Sequence, residues 1–74
     1  MRRFQDRDGV EWEVVAGRES WGAIVALFVP TRDGPEVRQA PLPAAGYAEA
    51  TGALDRMGPD ALQDLLDASG PKTL

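Results

Sequence analysis

Glu11 and Glu13 stand two residues apart in an alternating stretch, so a strand would place both carboxylates on one face. That is the spacing of a general acid–base or glycosidase-like pair, and equally that of the solvated side of an amphipathic strand. Asp6-Arg7-Asp8-Gly9 has the Asp-x-Asp and glycine of a calcium loop. The register fails, however: with Gly9 at loop position six, positions one and twelve would be Phe4 and Val15, neither of them a ligand. A tight hairpin turn accounts for the same residues. Ser20, Ser69 and the threonines carry hydroxyls, yet the chain has no histidine to activate one, and no other base stands at a recognisable spacing. There is no cysteine, no G-x-x-x-x-G-K-[ST] and no G-x-G-x-x-G. The sequence therefore predicts no enzyme, no cofactor and no metal, and function by surface contact.

Charge narrows the partners. The net charge of −4 is uneven: residues 1–38 hold six basic and seven acidic groups, residues 39–74 two and five. An acidic chain meets duplex nucleic acid, with a negative charge every ~1.7 Å, at a disadvantage. Arg2, Arg3 and Arg38 could line an RNA-binding sheet, but the outward positions beside them offer no aromatic for base stacking. Nucleic acid is not the expected partner. Ala40-Pro41-Leu42-Pro43 is too short for P-x-x-P recognition and reads as a rigid linker. The longest apolar run, Gly22 to Val29, falls far short of the roughly 20 residues that span a bilayer. Met1-Arg2-Arg3 is followed by polar residues where a signal peptide would be apolar. These features fit a complete short cytoplasmic protein.

The elements that would position these residues are legible in the periodicity. Arg3-Phe4-Gln5 and Val10 to Ala16 read as paired strands, with Phe4, Trp12 and Val14 inward and Asp6 to Gly9 as the turn. Ala16 to Ser20 reads as a loop. Trp21 to Val29 follows as a third strand, apolar on both faces. Pro30 to Pro35 is a second turn. Glu36 to Gln39 is a short fourth strand, with Val37 inward and Glu36 and Arg38 outward. Tyr47, Ala50, Leu54 and Met57 mark one face of a helix. Gly58-Pro59 ends it and starts a second, striped by Leu62, Leu65 and Leu66 and stopped by Gly70-Pro71.

The order predicts a single α+β domain over residues 1–74: a four-stranded antiparallel β-meander (2–39), a linker (40–43) and a helical hairpin (44–70) packed on one sheet face. The phrase Phe4-x-Asp6-x-x-Gly9-x-x-Trp12-Glu13-Val14 resembles the opening of short uncharacterised bacterial proteins. In those, an apolar strand, an arginine-bearing strand, a proline and a leucine helix follow, as Trp21–Val29, Arg38, Pro41 and Leu62–Leu66 do here. The resemblance implies the architecture and no known function.

A domain this small buries only about 60% of its unfolded surface, and helices on one face leave the other side of the third strand bare. The expected function is a non-enzymatic bacterial interaction module that offers a sheet face or edge to a protein partner or a second copy. Trp21, Val25, Leu27 and Arg38 are its expected contacts. The alternative is a small acidic regulator of transcription machinery or of a toxin, with Asp55, Asp60, Asp64 and Asp67 mimicking nucleic-acid charge.

Overall fold

The computed structural model describes residues 2–19 and 22–72. The Asp6–Gly9 turn forms because Asp6 accepts from its own neighbours: its Oδ1 takes the N–H groups of Asp8 and Val10, both at 2.9 Å. Gly9 enters the left-handed region at φ 85° and donates to Asp6 C=O. The turn joins β1 (Arg2–Gln5) to β2 (Glu11–Arg18) in the register Phe4↔Trp12. Next come β3 (Ile24–Pro30) and β4 (Arg38–Pro41), then α1 (Tyr47–Arg56), α2 (Pro59–Asp67) and the two-residue β5 (Gly70–Pro71). The sheet is antiparallel in the order β1-β2-β3-β4-β5. The fold is α+β, with both helices in the C-terminal half.

One face of the sheet carries the core. Phe4, Trp12, Val14, Ile24, Ala26, Phe28 and Ala40 are buried there against Ala50 and Leu54 of α1 and Leu62 and Leu66 of α2. Phe28 lies at the centre, edge-on to Phe4 (6.1 Å) and to Trp12 (6.3 Å). The Trp12 indole donates to Asp6 Oδ2 at 2.9 Å, so the turn's carboxylate also satisfies the core's largest side chain.

Four expectations about the strands need correction. The second strand does not stop at Ala16: Gly17 and Arg18 continue it, paired with Val25 and Ile24. Gly17 is there for close packing, since a Cβ would stand 2.6 Å from Leu27 Cδ1. The described third strand begins at Ile24, and Trp21 lies outside the described residues. The fourth strand is shifted and inverted in phase. Ala40 pairs with Ala26 and is fully buried, and Arg38, two residues away, shares its side of the sheet. Ala40 and Pro41 thus belong to a strand, not to a linker. Finally, Gly70-Pro71 stops α2 and also adds the fifth strand on β4.

The helices follow their apolar stripes, with Ala50, Leu54, Leu62 and Leu66 inward. Tyr47, expected on that stripe, is exposed instead, with Arg18 Cζ 5.1 Å from its ring centre. Each helix packs on the sheet: α1 on β2 and β3, α2 against β1 and β4.

Candidate interaction surfaces

Among the described residues, the sheet face opposite the helices has no helix packed on it and is open. In β2 and β3 it carries Glu11, Glu13, Val15, Gly17, Val25, Leu27 and Val29, alternating with the core positions. Val29 is 36% exposed, Val15 and Leu27 are half-buried, and Val25 is only 7% exposed although it lies outside the core cluster. The Gly17 site explains the low relief: Leu27 lies flat over a residue with no side chain, next to Val25. Arg3 and Glu13, opposite each other across β1 and β2, form an ion pair at 3.0 Å on the same face. Glu11 accepts from Thr31 Oγ1 at 3.2 Å. The two glutamates do share a face, but each has a neighbour of its own.

The expected contact residues are not brought together. Val25 and Leu27 share the open face, and Arg38 lies on the other. Its Nε donates to Ser69 Oγ at 2.8 Å and its Nη2 to Ser69 C=O at 2.7 Å, holding the end of α2 to β4. Ser69 Oγ in turn donates to Leu66 C=O, which commits that hydroxyl to the helix end. Arg2 does the corresponding work for α1, its Nη2 donating to Met57 C=O at 3.0 Å. Both arginines therefore sit where carbonyls at a helix C-terminus need donors.

A polar rim closes the hairpin turn onto α2. Arg7 grips Asp67 with two bonds (3.1 and 2.7 Å), Arg7 N–H donates to Gln63 Oε1 at 2.8 Å, and Gln63 Nε2 donates to Asp67 at 2.9 Å. Hydrogen bonds from Arg7 and Gln63 hold the Asp67 carboxyl below the usual carboxylate range, and the pairing holds Arg7 above its ordinary value. For Asp6, desolvation is the largest influence and pushes the carboxyl up. Hydrogen bonds from Trp12, Val10, Asp8 and Gly9 outweigh it together, leaving the group below its ordinary value. Asp6, the first carboxylate of the calcium-like phrase, has both oxygens in use. Among the described residues no group of three or more acidic side chains could hold a metal ion, and no helix is long and apolar enough to cross a membrane.

A cavity of about 270 Å³ lies at the Arg7–Asp67 pair, and two more flank these elements. One, of about 400 Å³, lies between the turn and α2 and is lined by Gln5, Asp6, Arg7, Asp60, Gln63 and Asp64. The other, of about 250 Å³, lies where β1 ends beside β2, under α1. Sequence reasoning pointed to neither, because both arise where elements far apart in the chain meet. No family model, curated protein or solved structure matches this chain.

Proposed function

We propose that the chain is a non-enzymatic interaction module, and that it works by presenting the open face of its sheet to a protein partner or to a second copy. The observation that carries this reading is the apolar strip Val15, Leu27 and Val29, which lies outside the helix-covered core and is flattened by Gly17. Of the charges beside it, Arg3 and Glu13 neutralise one another and Glu11 adds one negative charge, so a partner meets a weakly acidic margin there. The edges support a face rather than β-addition at either outer strand: β1 carries Arg2 and Arg3, and β5 is two residues long and contains Pro71.

A photo-crosslinking residue at the exposed position 29, compared with one at position 60 on α2, tests the reading in native extract. Protein adducts from position 29, or a covalent species of twice the chain's mass, support it. Adducts from position 60 alone would refute it.

The second reading is charge mimicry by the helical half. It is favoured by Asp60 and Asp64 lining the cavity beside the turn, although Arg7 takes Asp67 out of that set. Under it, binding weakens steeply between about 50 and about 500 mM salt.

A further inference from the structure

The hydrogen-bond phase of β2 exposes something that neither face of the sheet shows. Glu19 N–H donates to Ala23 C=O and Thr31 N–H donates to Glu11 C=O. In an antiparallel ladder these bonds recur at every second residue, so the odd positions of β2 bond to β3. The even positions turn the other way, as Val10 C=O does in accepting from Asp6 N–H. Among the described residues β1 covers that side only as far as Arg2↔Val14. Beyond it, the N–H and C=O groups of Ala16 and Arg18 point outward, with no strand of the described residues beside them.

That bare edge is one wall of a groove. The facing wall is α1, where Tyr47, Thr51 and Asp55 recur every four residues along one side of the helix. Thr51 and Asp55 line the 250 Å³ cavity with Val14, Ala16 and Leu54, and Tyr47 stands over Arg18 at the far end. The stripe from Tyr47 to Asp55 spans about 12 Å at 1.5 Å per residue, and four residues of extended chain span about 13 Å. Arg2 closes the near end. Its Nη2 is bound to Met57 C=O, while its Nε is buried without a partner. The cavity is smaller than the roughly 300–1,000 Å³ clefts that enclose drug-sized ligands, and suits one or two side chains.

We infer that this groove is a binding site for a short extended peptide, which adds a strand to β2 at Ala16 and Arg18 and places an apolar side chain in the cavity over Val14, Ala16 and Leu54. Main-chain bonds to the two even residues supply affinity, and the cavity supplies selectivity for the residue opposite Ala16. An extended backbone is the occupant whose chemistry matches both the unpaired strand groups and the slot's length. Of the residues lining the cavity only Val15 also belongs to the open-face strip, and the two sites are tested separately.

The test uses the full chain as bait for phage-displayed random heptapeptides, followed by amide exchange on the chain with the enriched peptide made synthetically. In the free chain, the amides of Ala16 and Arg18 exchange at least about tenfold faster than those of Val15 and Gly17, which bond to β3. The enriched peptides carry apolar residues at alternate positions, and adding one slows Ala16 and Arg18 by about tenfold or more. Thr51→Trp, at an exposed helix position, fills the groove and weakens binding by at least about tenfold while leaving thermal unfolding unchanged. Failure to enrich any peptide would overturn the inference. So would an enriched peptide indifferent to Thr51→Trp, or Ala16 and Arg18 amides already slow in the free chain at low concentration. If those amides slow only as the chain itself is concentrated, the occupant is a second copy and the peptide site is wrong.

Discussion

The two faces of this sheet are written by the same strands and end up under different rules. Phe28 and Leu27 are neighbours in sequence and both large and apolar. Phe28 is fully buried in the core, edge-on to two aromatic rings, whereas Leu27 rests half-buried on the bare backbone of Gly17. The covered face is closed by shape and by polar ties at its rim: Arg2 to Met57, Arg38 to Ser69, Arg7 to Asp67. The open face has a strip of modest relief, the Arg3–Glu13 ion pair and the exposed Glu11. Stability resides on the first, and the second is free to be used.

Substitutions at adjacent positions can break that contrast. Phe28→Ala should cost about 3–5 kcal/mol in urea unfolding, and Leu27→Ala about 1 kcal/mol. Equal costs would mean that the open face is a second core. Arg38→Ala should cost about 2 kcal/mol, because it unties the end of α2 and leaves Ser69 C=O without its donor. A neutral result would return Arg38 to the role of a surface contact. Gly17→Ala should cost about 1 kcal/mol through the clash with Leu27, and the cost should vanish in a Leu27→Ala background. Additive costs would show that Leu27 does not lie over Gly17.

The smallest expected effect is that of acid on the rim. Asp6 and Asp67 both titrate below the ordinary carboxylate range in the folded chain. Their stabilisation is therefore complete above about pH 4, the unfolded value, and is lost as pH falls through the folded values. Asp67 is solvent-facing, so high salt should shrink its share. Thermal melts between about pH 2 and about pH 5 should show the decline in the wild type and a shallower one in Asp6→Ala. A slope unchanged by the substitution would separate the turn carboxylate from acid stability.

Where residue type and spacing act locally, the chain could be read directly. Asp6 and Gly9 made their turn, the alternation at Trp12 and Val14 marked the covered face, and the stripe from Leu62 to Leu66 set α2. Positions whose meaning depends on a distant partner could not be read this way. Gly17 looked like a loop residue because the cause of its smallness, Leu27, is ten residues away. Arg38 looked outward because a four-residue strand with one valine fits either phase, and only Ala40 against Ala26 selects between them. The contact set expected from sequence was accordingly divided, with Val25 and Leu27 on the open face and Arg38 on the other.

The sequence by itself determined the class of fold, the order of the first four strands and two helices, and the segregation of acidity into the helical half, because each rests on periodicity and composition. Tertiary structure alone decided which face of the doubly apolar third strand became core. It also turned Arg2 and Arg38 into ties for the helix ends and, among the described residues, left β2 beyond Val14 without a second neighbouring strand beside α1. The physical reason is the same in each case. Pairing register and helix placement are set by contacts between segments remote in the chain, and the pattern of any one segment fits more than one of them.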